Sequence, residues 1–173
     1  MMSKLTALKK KANVPIKKGD KVLYLGASHG ITAKIIADIV GEKGMVFCVE
    51  LSPYVMKDLL RTCEENRNMI PFLGSASLPE EYKNYVKKVD IIYQDIAQRD
   101  QAEILMKNIR IFLKKSGHFL FAVKSRSIDV LKDPEEVLKE VLKKLKDYDI
   151  MEVVGLSNTH GGHYFIIGRK GKS

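Results

Sequence analysis

The sequence lacks the features of a secreted, membrane-spanning or metal-stapled protein. Its 173 residues include two cysteines, Cys48 and Cys63, and these are too far apart for a C-x-x-C pair. Neither a zinc site nor a disulfide framework is therefore indicated. His160 and His163 lie close in sequence, but no cysteine or acidic ligand accompanies them at a zinc-site spacing, so we predict no metal. Segment 1–14 is basic without the apolar core of a signal peptide, and no window is long enough to span a membrane. We expect a cytoplasmic protein.

Two common phosphate-binding motifs are also missing. The first glycine loop reads Gly26-Ala-Ser-His-Gly30, which is not the G-x-G-x-x-G of dinucleotide-binding domains. No glycine is followed by Lys-Ser or Lys-Thr at the spacing of a P-loop. The chain has no internal repeat, no Gly/Arg-rich tail and no aromatic RNP motif of an RNA-binding module. These absences argue against a dinucleotide enzyme and a P-loop nucleotidase.

Length and charge predict one basic globular domain. With 45% apolar residues, the chain is long enough for one well-formed core over 1–173, with a basic helix or arm over 1–14. Lys and Arg outnumber Asp and Glu by 30 to 21, and the net charge of +9 favours a polyanionic partner such as nucleic acid. A set of basic residues is expected to contact RNA phosphates. It comprises Lys9–Lys11, Lys17, Lys18, Arg99, Arg126 and Lys132.

Apolar runs alternate with helical patterns along most of the chain. We predict strands at 21–25, 45–50, 69–73, 89–94, 118–123, 150–156 and 163–169, and helices at 32–40, 53–67, 79–86, 98–115 and from 134 onward. The loop between the last two strands is too short for a crossover helix, so these strands should pair antiparallel. The predicted fold is therefore α/β: a Rossmann-like, seven-stranded, mostly parallel sheet with a C-terminal antiparallel hairpin.

Polar residues end the predicted strands, at the edge where such sheets bind ligands. They are Gly26, Glu50, the 74–77 loop, Asp95 and Lys124. An acidic residue about 20 positions after a glycine loop is where these folds hold a ribose diol. The sequence thus predicts an adenosine-type cofactor, and the loose glycine loop together with the terminal hairpin favours S-adenosylmethionine.

Two blocks in the second half of the chain resemble a known family. Asp95-Ile-Ala-Gln-Arg-Asp-Gln101 and Val123-Lys-Ser-Arg-Ser-Ile-Asp129 are similar to motifs of fibrillarin, and Val22-Leu-Tyr-Leu-Gly26 extends the resemblance to the first strand. The chain looks most like the archaeal form. The resemblance implies a Rossmann-like methyltransferase that uses S-adenosylmethionine to methylate ribose 2′-hydroxyls of rRNA and tRNA within a box C/D guide ribonucleoprotein.

The resemblance also implies roles for individual residues and partners. Its catalytic set falls on Lys4, Asp95, Lys124 and His163, and Lys124 is our candidate general base because burial and a nearby lysine lower the pKa of an ammonium. The implied partners are a box C/D guide RNA, the target RNA, a Nop-domain scaffold protein and a kink-turn-binding ribosomal-type protein. The implied cofactor contacts are Gly26, Ala27, Ser28, Gly30, Thr32, Glu50, Leu51, Ser75, Ala76, Asp95 and Gln98.

The chain departs from the family pattern at several positions. His29 and Ile31 stand where the glycine loop usually has hydroxyl residues, and Ser75 replaces an aspartate expected to accept the adenine amino group. Gly161-Gly162 precedes His163 in place of a polar residue. Archaeal members begin with a small β-rich domain, whereas this chain starts almost at Ser3, so contacts of that domain are expected to be absent. Two alternatives stay open: a methyltransferase acting on a protein side chain or a small molecule, and a structural subunit with weakened catalysis.

Overall fold

A single twisted sheet organises the molecule. The computed structural model describes residues 3–156 and 162–171. Its strands, in chain order, are β1 Lys21–Leu25, β2 Met45–Glu50, β3 Met69–Leu73, β4 Val89–Gln94, β5 Leu113–Lys124, β6 Asp149–Gly155 and β7 His163–Arg169. They lie in the order β3-β2-β1-β4-β5-β7-β6, with β7 antiparallel to both neighbours and the first five strands parallel. The predicted fold class is confirmed.

Helices cover both faces of the sheet, and several begin at capping residues visible in the sequence. Ser52 accepts the N–H of Val55 at 3.4 Å, and Asp133 accepts the N–H of Glu135 at 2.8 Å, each followed by a proline at the first helical position. The helices are α1 Lys4–Lys9, α2 Ile31–Val40, α3 Pro53–Glu64, α4 Gln101–Phe112, α5 Ser125–Ile128 and α6 Pro134–Lys144. None of the helices within the described ranges is long and apolar enough to cross a membrane.

The alternation of side chains along each central strand produces two cores. Val22 and Tyr24 of β1 face the layer formed by α1, α2 and α3, while Leu23 and Leu25 face the layer that contains α4 and α6. Because both faces are covered, these strands are apolar at nearly every position. The arrangement leaves the ends of the strands, rather than their faces, as the open part of the sheet.

Several element boundaries differ from the predictions. The predicted helix 98–115 is wrong at its C-terminal end, because Leu113 has extended backbone and pairs with Val89 as the first residue of β5. Gly117 does not end a helix. It lies inside β5, where a Cβ would come within 2.5 Å of the Leu113 side chain.

The predicted helix 79–86 is reduced to a 3₁₀ turn at Pro79–Glu81. Tyr82, which follows, is almost completely buried and donates its hydroxyl to the Asn108 side chain at 2.6 Å. The helix after Ser52 ends at Glu64 rather than 67, and α5 has no counterpart among the predicted helices.

Candidate functional site

The site lies where β1 and β4 separate at their carboxyl ends. In this sheet the chain moves outward from β1 through β2 to β3, then crosses back to β4, so the gap between β1 and β4 is the topological switch point. Asp95 immediately follows β4, and its N–H donates to the Leu25 carbonyl at 3.0 Å. This hydrogen bond holds the Asp95 backbone against the end of β1, at the position where doubly wound sheets bind their ligands.

Three charged residues form a compact cluster at this point, hereafter the charged cluster: Lys4, Asp95 and Lys124. Lys4 Nζ lies 2.7 Å from Asp95 Oδ1, and Lys124 Nζ lies 2.9 Å from the same oxygen. The side chains are 12%, 16% and 20% exposed, respectively. The first residue of α1, the end of β4 and the end of β5 therefore place two ammonium groups on one largely desolvated carboxylate.

Burial and charge act against each other in this cluster. Burial alone raises the pKa of Asp95, but the two lysines and their hydrogen bonds outweigh it, so the pKa of this carboxyl lies below its ordinary value. Burial lowers the pKa of Lys4, and the nearby Lys124 ammonium lowers it further, although Asp95 opposes both effects. The carboxylate therefore stays ionised, whereas Lys4 loses its proton more readily than an exposed lysine.

His163 enters the site from the antiparallel part of the sheet. As the first residue of β7 it lies opposite Lys124 in the β5–β7 pairing, and its carbonyl accepts the N–H of Leu156 at 3.0 Å. The preceding loop, including His160 and Gly161, lies outside the described residues. Within residues 3–156 and 162–171, no group of three His, Cys, Asp or Glu side chains could hold a metal ion.

The glycine loop, residues 26–32, is held against the end of β2 by Glu50. One oxygen of the Glu50 carboxylate accepts the N–H of Ser28, and the other accepts the N–H of Ser52, both at 2.8 Å. Gly26 has φ +84°, and a Cβ there would lie 2.5 Å from the Asp95 carbonyl oxygen. Only glycine fits that contact, so the loop and the end of β4 meet without any side chain between them.

Two adjoining cavities of about 280 and 320 Å³ lie on the two sides of the glycine loop. Gly26, Ser28 and Asp95 line both. The first cavity, toward β2, is also lined by the predicted cofactor residues Glu50, Leu51, Ala76 and Gln98. The second contains the charged cluster together with Ala27 and Thr32. Gly30 and Ser75 line neither: Gly30 precedes α2 with φ +88°, and Ser75 bonds within its own loop.

The first cavity has acceptor oxygens and apolar walls that suit S-adenosylmethionine. Each Glu50 oxygen uses one acceptor site for a backbone N–H and keeps another for a ribose hydroxyl. The first cavity is bounded by apolar Val49, Leu51 and Ile96, which suit the faces of an adenine ring. Glu50 and the adjoining apolar cavity therefore fit the nucleoside part of the cofactor.

The 74–77 loop is bound by the carboxylate of Glu81, which was not among the predicted site residues. Ser75 donates its N–H to Glu81 at 3.0 Å, and its hydroxyl pairs with Ser77 at 2.7 Å. Glu81 thus places an acidic group beside the position where the family has aspartate. The Ala76 carbonyl, at the wall of the first cavity, accepts the side-chain amide of Asn108 at 2.9 Å.

Buried polar residues beneath the charged cluster were not among the predicted site residues. Gln94 and Gln101 are completely buried, and Gln101 bonds the backbone of Lys124 in both directions. Tyr24 and Tyr93 lie under Asp95, with ring centroids 4.7 Å apart, and burial raises the pKa of both hydroxyls well above the ordinary value. The sequence did contain one indication of this layer. Gln94 is a polar residue at the end of an otherwise apolar strand, and a buried polar side chain needs a hydrogen-bond partner.

The predicted basic set is divided between the two edges of the sheet. Arg99 and Arg126 follow the ends of β4 and β5, and Lys11 donates to the Gly155 carbonyl at 2.9 Å, so these three residues lie at the edge that carries the site. Lys17 and Lys18 precede β1, at the opposite edge. Only part of the set can therefore contact one ligand together with the charged cluster.

Comparisons with known proteins agree with this geometry. The fibrillarin family model matches residues 1–172. A fibrillarin-like rRNA/tRNA 2′-O-methyltransferase of Thermococcus sibiricus is 46% identical over 159 residues, which cover 91% of this chain and 70% of that protein.

Two solved structures are similar in both fold and sequence. The fibrillarin of a fibrillarin/Nop5p complex superposes with a TM-score of 0.92 at 43% identity, covering 96% of this chain and 80% of that one. Aeropyrum pernix fibrillarin, with natively bound S-adenosyl-L-methionine, superposes with a TM-score of 0.86 at 43% identity, covering 95% and 74%. With its strand order, strand-end cluster and near full-length match to the family model, the chain belongs to the fibrillarin family.

Proposed function

We propose that this protein is an S-adenosylmethionine-dependent RNA ribose 2′-O-methyltransferase acting on rRNA or tRNA. The observation that carries the proposal is the charged cluster, in which Lys4 and Lys124 share Asp95 Oδ1 at 2.7 and 2.9 Å. The cluster lies beside a cavity that suits an adenosine moiety. A buried carboxylate with two ammonium groups is a costly arrangement that stability alone does not favour, which supports a chemical role.

Four elements would hold the cofactor in this chain. Gly26 and Ser28 of the glycine loop, Glu50 at the end of β2, Ala76 after β3 and Gln98 after β4 surround the first cavity. Glu50 would accept the ribose hydroxyls in charge-assisted hydrogen bonds. S-adenosylmethionine, when bound, supplies an electrophilic methyl group on a sulfonium. The second cavity would hold the polar methionine end of the cofactor beside Ala27 and Thr32 of the glycine loop, and it would receive the RNA ribose at the charged cluster.

The charged cluster can activate a ribose hydroxyl, which is a weak nucleophile until its proton is removed. Asp95, held ionised by the two lysines, would orient the hydroxyl, and the ammonium of Lys124 would stabilise developing negative charge on the oxygen. Lys4 is the less exposed of the two lysines and has a pKa lowered by burial. We therefore favour Lys4, ahead of Lys124, as the group that accepts the proton. His163, opposite Lys124 in the sheet, would contribute to the same cluster.

The substrate is expected to arrive as part of a particle. The related structure in complex with Nop5p supports a Nop-domain scaffold as partner of this chain. We extend the proposal to a box C/D guide RNA that selects the target nucleotide and to a kink-turn-binding ribosomal-type protein in the same particle. Arg99 and Arg126, exposed at the edge that carries the site, would contact phosphates of the bound RNA.

Two measurements test the proposal. Calorimetric titration of the protein with S-adenosylmethionine should give saturable binding. A particle reconstituted with scaffold protein, kink-turn protein and guide RNA should then methylate one ribose of a guide-matched RNA, and Lys124→Ala should slow that transfer at least about tenfold, because it removes an ammonium from the developing charge. Cofactor binding without RNA methylation would favour a protein or small-molecule substrate, whereas absence of both would favour a structural subunit.

A further inference from the structure

The end of β5 extends beyond its neighbour β4. The last paired residues of these strands are Gln94 and Phe121, whereas β5 continues to Lys124. Beyond Gln94, the Asp95 N–H donates to the Leu25 carbonyl of β1. The backbone of Lys124 therefore lies next to β4 without a β4 residue to pair with, although an unpaired backbone group this close to the core is costly.

The C=O of Lys124 and the N–H of Ser125 belong to one trans peptide group and point to opposite sides, so the partner of Ser125 shows where the Lys124 backbone points. The Ser125 N–H donates to the Gly162 carbonyl at 3.2 Å, toward β7. The N–H and C=O of Lys124 consequently point the other way, toward β4 and the start of α4. This is the side on which the β4 ladder has ended.

The side chain of Gln101 fills the gap. Its Oε1 accepts the Lys124 N–H at 3.1 Å, and its Nε2 donates to the Lys124 carbonyl at 3.2 Å. The carboxamide thus makes both hydrogen bonds that the N–H and C=O of a paired strand residue would make. Gln101 is in turn tied to β4, because the Gln94 side chain donates to its backbone carbonyl at 2.7 Å.

We propose that Gln101 is a positioning residue that fixes Lys124 relative to Asp95. The contacts close a ring: Asp95 is bonded covalently to Gln94, Gln94 binds the backbone of Gln101, and Gln101 binds the backbone of Lys124. The ring closes where Lys124 Nζ lies 2.9 Å from Asp95 Oδ1. Gln94 and Gln101 are completely buried, so solvent does not compete for these hydrogen bonds. Gln101 touches neither cavity, and its role is to set where the Lys124 side chain begins.

The test compares two buried amides of the same helix. Gln101→Met keeps the length of the side chain and removes both hydrogen bonds to Lys124. Asn108→Leu removes a completely buried amide of α4 that instead holds the Ala76 carbonyl at the wall of the cofactor cavity. Both variants are measured in the reconstituted particle with guide-matched RNA, together with cofactor affinity by calorimetry and melting temperature.

The two variants should affect different parameters. Gln101→Met should lower kcat at saturating S-adenosylmethionine by about tenfold to a hundredfold, because a small displacement of a catalytic group costs that much. Its cofactor Kd should change by less than about threefold, since no cofactor contact is touched. Asn108→Leu should mainly weaken cofactor binding. Gln101→Glu keeps the acceptor for the Lys124 N–H and should give an intermediate kcat.

Three results would overturn this role. One is an unchanged kcat in Gln101→Met. Another is a fall in kcat of equal size in Gln101→Met and Asn108→Leu when the two variants lose the same amount of melting temperature. If Gln101→Met folds poorly, Gln101→Glu becomes the measured variant, and full activity there also rejects the proposal. The inference rests on the proposed function, but the two fail separately: an inactive wild-type particle counts against the function, whereas an active wild type with active Gln101 variants counts against Gln101 alone.

Discussion

The glycine loop and the charged cluster meet at Asp95 but are built from different interactions. The loop is shaped by backbone groups: two N–H donors hold Glu50, and two glycines with positive φ make the turn. Its side chains are largely outside, with Ile31 70% exposed. The charged cluster is made of side chains from three distant parts of the chain, all at least four-fifths buried.

This difference determines what a substitution does in each region. An exposed loop side chain can change without leaving a buried group unpaired, so the effect should be confined to ligand affinity. A residue of the charged cluster balances two others, and its removal leaves an uncompensated charge in a desolvated place. Sequence variation is therefore better tolerated in the glycine loop than in the charged cluster.

Asp95→Asn should show the largest effect, because it removes the negative charge that both lysines share. We expect methyl transfer to fall by more than about a hundredfold, and the free energy of unfolding to fall by about 3 kcal/mol, from loss of the buried ion pairs. Guide-directed methylation and urea denaturation measure the two effects.

Asp90→Asn, within β4, is the matched control. Asp90 pairs with Lys114 at 2.6 Å, but these side chains are 29% and 43% exposed, so the loss of stability should be below about 1 kcal/mol. Equal losses in the two variants would contradict the distinction between a buried cluster and an ordinary surface pair.

The pH dependence of methyl transfer should identify the proton acceptor. Since the pKa of Lys4 lies below the ordinary 10.5, its neutral fraction at a given alkaline pH exceeds that of an exposed lysine. The rate should accordingly rise with pH, with the midpoint of the rise below 10.5. Lys4→Arg retains the charge but cannot lose its proton. The rise of the rate with pH should therefore disappear, and the rate at alkaline pH should fall on the order of a hundredfold below that of the wild type.

Lys124→Arg is the comparison for this measurement. If Lys4 accepts the proton, the Lys124→Arg enzyme should be slower but should keep the rise with pH. The opposite pattern, with the rise lost only in Lys124→Arg, would return the role of general base to Lys124.

On the cofactor side, Glu50→Gln should weaken S-adenosylmethionine binding by about tenfold, because it removes a charged acceptor and turns an amide NH₂ toward a backbone N–H. Calorimetry measures this affinity, and kcat at saturating cofactor should change much less. Glu42→Gln, an exposed charge in the turn before β2, should leave the affinity unaltered. A large fall in kcat with unchanged affinity would assign Glu50 to the chemistry instead.

The strands and the polar residues at their ends could be predicted from the sequence because they follow from local patterns. Continuous apolar runs gave the bounds of β1, β2, β3, β4 and β7, and the residues after the parallel strands had to lie at one edge of the sheet. The end of α4 could not be predicted in this way, because Leu113 and Gly117 suit a helix stop as well as a strand. Pairing with Val89 decides between them.

The hydrogen bonds that link Gln94, Gln101 and Lys124 could not be predicted from local patterns, for a related reason. In the sequence, Gln94 and Gln101 resemble ordinary polar residues. Their role follows from the sheet, in which β5 continues for three residues beyond Phe121, its last residue paired with β4, to Lys124. Likewise, the charged cluster could be assigned from the family resemblance, but the sharing of one Asp95 oxygen depends on where α1 packs. Long-range packing, rather than residue type, carries this information.

The smallest expected effect belongs to His29 and Ile31, the two departures from the family loop. The His29 side chain is 53% exposed, with Nδ1 3.0 Å from Ser28 Oγ and Nε2 3.6 Å from Asp58 Oδ2. Because these contacts lie at the surface, a serine at this position should leave the melting temperature nearly unchanged. Both residues line the second cavity, where added hydroxyls could bind the polar end of the cofactor. The double variant His29→Ser with Ile31→Thr should therefore tighten S-adenosylmethionine binding by a few-fold, about the value of one exposed hydrogen bond. A calorimetric Kd equal to that of the wild type would mean that the backbone shape of the glycine loop, set by Gly26 and Glu50, determines affinity by itself.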